Sequence, residues 1–140
     1  MSETAYFGAG CFWGAELALS QIPGIIATEV GFSNIKTSKG KESKVETVKL
    51  EFDPSLISFS KLIETFWDIH NPGDKQNKSE TYVEKSVIFG LDENQIEQAK
   101  ISLEYQKKRK INNEIFTIVH PFITYSKAPE KDQQYYSKNK

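Results

Sequence analysis

The sequence has one cysteine and two histidines among its 140 residues. A single cysteine excludes an intramolecular disulfide, and with it the small scaffolds that disulfides hold together. A metal site is disfavoured as well, because neither His70 nor His120 lies in a cluster with the spacing of metal ligands. If Cys11 performs redox chemistry, another molecule has to supply the second electron pair.

Charge of one sign and long apolar runs are also lacking. The 18 lysines and arginines balance 19 acidic residues, for a net charge of −1, which gives no electrostatic footprint for nucleic acid or an anionic membrane. No apolar run approaches the roughly 18 residues of a membrane span. Residues 1–4 show no basic and apolar regions of a signal peptide. We therefore expect a cytosolic monomer with no nucleic-acid or membrane partner.

What the sequence does contain fits one domain over residues 1–140, since 38% of the residues are hydrophobic. Its periodicities predict the element order βαββαβαβ. The predicted strands cover residues 4–7, 25–32, 44–52, 86–91 and 115–122, and the predicted helices cover residues 12–22, 59–69 and 92–110. This order contains a split βαβ unit, so we expect an α+β fold: a two-layer sandwich with a ferredoxin-like βαββαβ core in a mixed sheet.

The segments between these elements are polar. We expect loops over residues 33–43 and 74–82. Residues 126–140 form a polar tail that we expect to be loosely packed, with Tyr135 and Tyr136 as side chains that could cover another part of the domain. Asp92 and Gln95 have the spacing of a capping arrangement at the start of the third predicted helix.

The segment GAGCFWG, residues 8–14, places the cysteine between a glycine turn and a helix. At a helix N-terminus, unpaired N–H groups and the helix dipole favour a thiolate. Four uses of Cys11 are then open: core packing, metal ligation, acyl transfer, or attack on sulfur. Acyl transfer would need His70 or His120 as a base brought close by the fold, although each histidine alone is more typical of a structural residue.

Two further observations favour chemistry on sulfur. Phe12 and Trp13 beside the thiol could form a pocket for a methyl or thioether group, although aromatic residues at a helix start are equally typical of a core. Glu46 lies on the apolar face of the strand 44–52, where partial desolvation would raise its pKa and suit it to protonating a poor leaving oxygen. Its alternative is a glutamate turned into solvent.

Residues 10–14, GCFWG, resemble the nucleophile motif of the peptide methionine sulfoxide reductase A family. Similarity to the family continues in order along most of the chain, through residues 23–25, 29–32, 45–48, 52–54, 66–72, 86–89 and 133–135. The sequence therefore looks like a short, single-cysteine member. The resemblance implies reduction of methionine-S-sulfoxide, protein-bound or free, to methionine, without a bound cofactor.

The same resemblance assigns roles to residues. Cys11 would attack the sulfoxide sulfur and become a sulfenic acid, while Glu46 would protonate the sulfoxide oxygen. Phe12 and Trp13 would hold the substrate methyl group. Family members often discharge the sulfenic acid through C-terminal cysteines, but residues 126–140 contain none, so a thioredoxin-like protein or a small thiol would have to attack Cys11 directly.

Two loops depart from the family pattern. The loop after Phe32 is shortened and has no counterpart of a substrate-binding tyrosine. Alignment from residues 86–89 puts Ser79 and Glu84 where the family has an aspartate and a second tyrosine, and neither role transfers to them. Tyr82 is near enough for its hydroxyl to reach the site after a small rearrangement, which makes it a substrate-binding candidate. A degenerate relative that binds methionine sulfoxide or a partner without turnover is the alternative function.

Overall fold

The structure is a computed structural model that describes residues 2–109 and 114–139. The predicted helix end at Lys110 and the last tail residue, Lys140, lie outside these residues. Short 3-10 turns occur at Lys75–Lys78 and Glu130–Asp132. The strands and longer helices are, in chain order, β1 (Glu3–Gly8), α1 (Phe12–Ser20), β2 (Ile25–Lys36), β3 (Glu42–Phe52), α2 (Phe59–Asp68), β4 (Val87–Gly90), α3 (Glu93–Arg109), β5 (Ile118–Pro121), β6 (Tyr125–Lys127) and α4 (Tyr135–Lys138).

The six strands form one mixed sheet in the order β5-β4-β1-β3-β2-β6. β4 and β5 pair in parallel, and the other neighbouring strands pair antiparallel. In the central strand β1, Phe7 lies opposite Val48 of β3 and Ile88 of β4. A six-stranded mixed sheet with helices is an α+β fold, so the predicted fold class is confirmed at this level.

The two faces of the sheet bury different sets of side chains, as the period of two along a strand requires. The larger cluster joins strand residues such as Phe7 and Leu50 to apolar residues of α1, α2 and α3, among them Leu19, Phe66 and Ala99. The three long helices therefore pack on one face. The smaller cluster lies on the opposite face and is built from β-strand residues and the connections around β6. No helix within residues 2–109 and 114–139 is long and apolar enough to cross a membrane.

The polar loop predicted over residues 33–43 is wrong. β2 and β3 form a long hairpin in which Ile35 pairs with Ser43. Ser33 and Ile35 are buried on one face of the sheet, so the alternation continues, but a serine at one of its inward positions hides it from a hydrophobicity pattern. The chain reverses only around Gly40, whose φ of +78° lies in the left-handed region that glycine adopts readily.

Other local predictions agree better with the structure. Asp92 Oδ1 accepts a hydrogen bond from the Gln95 N–H at 2.8 Å, and Gln95 Oε1 accepts one from the Leu91 N–H at 2.9 Å. The bond from the Gln95 N–H to Asp92 is the predicted capping contact at the start of α3, whereas the Gln95 side chain reaches the N–H of Leu91 and not that of Asp92. The prediction at the end of the sheet agrees less well: the last predicted strand, residues 115–122, is shortened to β5, and the sequence pattern does not predict β6.

The polar tail, expected to be loosely packed, is attached to the domain over much of its described length. β6 pairs with β2, and Ala128 and Gln133 are buried. The Gln133 side chain accepts a hydrogen bond from the Val30 N–H and donates to the carbonyl oxygens of Val30 and Ala128. A buried amide with three backbone partners holds the tail against β2.

Candidate active site

Cys11 lies where β1 ends and α1 begins. Gly10 has a φ of +79°, a left-handed conformation that glycine adopts without steric cost and that turns the chain into the helix. Cys11 is the N-cap residue, with extended backbone angles, and its carbonyl accepts the Ala15 N–H at 3.1 Å. The cysteine is partly buried. Its thiol therefore stands at the positive end of the helix dipole, as the sequence predicts.

Glu46 approaches the same helix end from β3. Its Oε1 atom accepts a hydrogen bond from the Phe12 N–H at 3.0 Å, so this carboxyl group satisfies one of the unpaired amides at the start of α1. Burial is the largest cause that raises the pKa of Glu46, the Phe12 hydrogen bond lowers it, and the charges of Glu84 and Asp132 raise it further. A net raised pKa keeps more of the carboxyl protonated towards neutral pH, which suits a proton donor.

The thiol and the carboxyl lie close together. The sulfur of Cys11 and carboxylate oxygens of Glu46 and Glu84 are all within 4.8 Å of one another. These are ligand types that a divalent cation also accepts, but acidic groups at partly exposed sites commonly lie together without an ion, so we assign no metal here. The arrangement brings a nucleophile and a proton donor to one small reacting group.

The two aromatic residues after Cys11 differ in environment. Phe12 is 6% exposed and packs against Phe32, with ring centroids 5.5 Å apart. Trp13 is partly exposed; its ring stacks on Tyr135 with centroids 3.8 Å apart, and its indole N–H donates to Asp132 at 3.2 Å. Phe12 thus lies between the site and the hydrophobic core, whereas contacts with the tail fix the orientation of Trp13.

A buried glutamate helps to fix this part of the tail. Glu16 of α1 is 2% exposed and accepts hydrogen bonds from the Gln134 backbone N–H at 2.9 Å, the Gln134 side chain at 2.8 Å and the Thr28 hydroxyl at 2.8 Å. Gln134 lies one residue before Tyr135, which stacks on Trp13. The ring of Tyr135 is therefore positioned by a carboxylate of α1 that also bonds to Thr28 of β2.

Tyr82 and Glu84 come from the loop before β4. Tyr82 is partly buried, and its pKa is raised by burial first and then by the charges of acidic groups and the thiol around it, Glu84, Asp74, Glu46 and Cys11. A phenol with a raised pKa remains a hydrogen-bond donor. The loop thus brings Tyr82 into the electrostatic surroundings of Cys11 and Glu46.

Known proteins resemble this chain over nearly its whole length. The family model of peptide methionine sulfoxide reductase matches residues 3–140. The chain belongs to this family. Peptide methionine sulfoxide reductase MsrA of Methanoculleus marisnigri is 35% identical over 147 residues, which cover 97% of this chain and 90% of that protein. MsrA 1 of a Nostoc species is 36% identical over 149 residues, with the same two coverages.

Solved structures agree with this membership of the peptide methionine sulfoxide reductase family. Methionine sulfoxide reductase A of Corynebacterium diphtheriae aligns with a TM-score of 0.82 at 28% identity, covering 99% of this chain and 75% of that chain. Mxr1 of Saccharomyces cerevisiae in reduced form aligns with a TM-score of 0.83 at 25% identity, covering 99% and 86%. The resemblance predicted from GCFWG is confirmed, and a degenerate, non-catalytic relative is not favoured.

The histidines have structural partners, which disfavours a thiol hydrolase. His70 lies beside Gly10, but its two ring nitrogens bond to the Phe66 carbonyl at 2.8 Å and the Ser86 hydroxyl at 2.7 Å. His120, on β5, bonds through its ring nitrogens to the Lys36 N–H and the Pro121 carbonyl. These contacts use the nitrogens that a general base would need.

Sequence reasoning missed the residues that act on the site through others. No sequence pattern distinguishes Asp132 or Glu16, although the similarity to the family over residues 133–135 includes the adjacent tail. Alignment with the family gives Glu84 a position before β4 but no role. Each of these acids becomes recognisable only when segments far apart in the chain meet, since Asp132 reaches Trp13 across 119 positions.

Proposed function

We propose that this protein reduces methionine-S-sulfoxide, in proteins or free, to methionine, with Cys11 as nucleophile and Glu46 as proton donor. The observation that carries the proposal is the Glu46 carboxyl, held by the Phe12 N–H at 3.0 Å and within 4.8 Å of the Cys11 sulfur. Family membership over residues 3–140 supports the same activity.

In the proposed reaction the Cys11 sulfur attacks the sulfoxide sulfur, and Glu46 protonates the sulfoxide oxygen as negative charge develops on it. The sulfur–oxygen bond of the substrate breaks, and the oxygen ends on Cys11 as a sulfenic acid. The substrate sulfur is reduced by two electrons and the cysteine sulfur is oxidised by two. The proton that leaves the thiol replaces the one that Glu46 gives, so the step consumes no net proton.

Substrate binding is proposed to use the aromatic residues next to the nucleophile. The rings of Phe12 and Trp13 would contact the methyl group, since sulfur and methyl groups bind favourably to aromatic surfaces. The fixed orientation of Trp13 between Tyr135 and Asp132 supports this role. Tyr82 would donate a hydrogen bond to the substrate from the loop before β4.

Regeneration of Cys11 is proposed to use an external thiol and no bound cofactor. Cys11 is the single cysteine of the 140 residues. One external thiol would condense with the sulfenic acid to a mixed disulfide and water, and a second thiol would release reduced Cys11. A thioredoxin-like protein is the proposed reductant; Mxr1, a protein of the same fold, has been solved in complex with Trx2.

Within the α+β fold we propose a two-layer sandwich with a ferredoxin-like βαββαβ core. The antiparallel order β4-β1-β3-β2, with α1 between β1 and β2 and α2 between β3 and β4, supports this assignment. A cytosolic location and a monomeric state remain proposals that rest on the sequence.

A single-turnover assay tests the function. Reduced protein is mixed with each resolved epimer of a methionine sulfoxide peptide without added reductant, and methionine yield and intact protein mass are followed. We expect about one methionine per protein from the S epimer, with one oxygen gained by the wild type and none by Cys11→Ser. No methionine together with an unmodified, alkylatable Cys11 would refute the proposal.

A further inference from the structure

Glu84 is held in place by bonds on both sides of it. The Val83 carbonyl accepts the Glu46 backbone N–H at 2.7 Å, which ties the loop to the strand that carries Glu46. Lys85 is 4% exposed, and its ammonium group donates to the carbonyl oxygens of Asn77 and Ser79. The next residue, Ser86, donates its backbone N–H to the Asn77 side chain at 2.8 Å. The hydrogen bonds of its neighbours therefore fix the backbone position of Glu84.

The side chain of Glu84 turns from this position towards the reacting groups. One of its carboxylate oxygens lies within 4.8 Å of an oxygen of Glu46 and of the Cys11 sulfur. Glu84 is also partly buried, as are the other two residues. Two partly buried carboxyl groups at this separation disfavour the state in which both are ionised.

We propose that Glu84 is a positioning residue for the reduction of methionine sulfoxide: its carboxyl group faces Glu46, so that Glu46 retains the proton that it delivers to the sulfoxide oxygen. This inference rests on the function proposed above. It assigns to Glu84 a role that acts through Glu46, by keeping this proton donor protonated.

The surroundings of the pair support this role. The charges of Glu84 and Asp132 raise the pKa of Glu46, and those of Glu84, Asp74, Glu46 and the Cys11 thiol raise the pKa of Tyr82. The Phe12 N–H favours the ionised form of Glu46, and burial with the charge of Glu84 favours the protonated form. His70, beside Gly10, directs its ring nitrogens to Phe66 and Ser86. Removing the charge of Glu84 therefore shifts the balance at Glu46 towards the ionised form.

The test compares Glu84→Gln with Glu80→Gln. Glu80 is an exposed acid of the same loop that bonds to the Ser38 backbone and hydroxyl, so its variant removes the same charge away from the pair. Single-turnover rates on the S epimer are measured from pH 4 to 9 in buffer with EDTA. Cys11 alkylation by iodoacetamide is followed in parallel to report the thiol separately. We expect the alkaline limb of the rate profile to move to lower pH in Glu84→Gln alone, with the acidic plateau within about twofold of the wild type.

A second readout does not depend on activity. Protein labelled with 13C at the glutamate carboxyl carbons is titrated by NMR, with the Glu46 signal assigned by its loss in Glu46→Gln. We expect the Glu46 signal to titrate at lower pH in Glu84→Gln and unchanged in Glu80→Gln. An unmoved Glu46 titration in Glu84→Gln, or an equal movement in both variants, would overturn the role of Glu84. Absence of turnover in the wild type would instead count against the proposed function, and the NMR titration would still decide on Glu84.

Discussion

Replacement of Glu46 by glutamine isolates the proton that this residue is proposed to deliver. The amide oxygen of glutamine has the same reach and can still accept the Phe12 N–H, which Glu46 accepts at 3.0 Å. Capping of α1 is therefore preserved, whereas the ionisable proton is lost. Glu46→Ala is the matched second variant, because it removes both the proton and the cap.

The expected losses of rate and of stability follow from the two roles of Glu46, proton donor and helix cap. General acid catalysis contributes roughly 100- to 10,000-fold, so Glu46→Gln should slow single turnover by that factor, or about 3–5 kcal/mol of activation free energy. Loss of a helix cap costs about 0.5–2 kcal/mol of stability. We therefore expect Glu46→Gln to unfold at nearly the same urea concentration as the wild type and Glu46→Ala to unfold at a lower one. Both variants should be slow in single turnover.

The pH dependence supplies a sign that the mechanism must satisfy. Burial first, and then Glu84 and Asp132, raise the pKa of Glu46 in the folded protein. The folded state thus binds its proton more tightly than the unfolded state, so this group's contribution to stability is present at low pH and is lost as pH rises through the raised pKa. The free energy of unfolding of Glu46→Gln relative to the wild type should therefore increase with pH across that window.

The assay follows methionine release from the S epimer in a single turnover, with substrate affinity measured in parallel by saturation. We expect the rate of the chemical step to fall and the substrate concentration for half-saturation to stay within about threefold of the wild type. Turnover by Glu46→Gln at the wild-type rate, with an unchanged alkaline limb, would remove Glu46 from the mechanism.

Two further substitutions test how the backbone holds the site. Gly10→Ala should lower the free energy of unfolding by about 1–2 kcal/mol, because residue 10 has a left-handed backbone, and should slow turnover by displacing Cys11. The control Gly40→Ala, at a residue with a matching φ, should lower stability as much and leave the turnover rate unchanged. Equal turnover rates in the two variants would contradict this expectation. Gln133→Ala should lower the free energy of urea unfolding by about 1–3 kcal/mol, because it leaves buried backbone groups of β2 unpaired. The exposed Gln76→Ala should change that free energy little, and an equal loss in both variants would be evidence against the tail attachment.

The sequence predicts where Cys11 and Glu46 lie in the fold, because local patterns determine both positions. A glycine with positive φ, a cysteine at the N-cap and apolar residues at helical spacing after it all act within a short segment. The position of Cys11 at the start of α1 therefore follows from GAGCFWG and the residues after it. Glu46 follows from the alternation of β3. The two meet because β1 pairs directly with β3, which a split βαβ unit places side by side.

The residues around Cys11 and Glu46 cannot be predicted from local sequence patterns, for a physical reason. Glu84 lies in a loop, where no periodicity reports which way a side chain points. The contacts of the tail with Trp13, Glu16 and Val30 join residues more than 100 positions apart. The hairpin over residues 33–43 was missed because Ser33 occupies a buried strand position. In each case tertiary packing, and not the type of residue, determines which side chains are buried.

The contact between Glu46 and α1 has a consequence for the direction of proton transfer. In the proton transfer Glu46 changes from a neutral acid, which burial and the neighbouring acids favour, to a carboxylate, until the proton of the thiol replaces the one it gave. The Phe12 N–H, at the positive end of the helix dipole, interacts more strongly with that carboxylate than with the acid. The same hydrogen bond therefore stabilises the state formed as the proton leaves, and it requires no rearrangement when it does so. Because Cys11 is the N-cap of that helix, nucleophile and proton donor are oriented by one helix terminus.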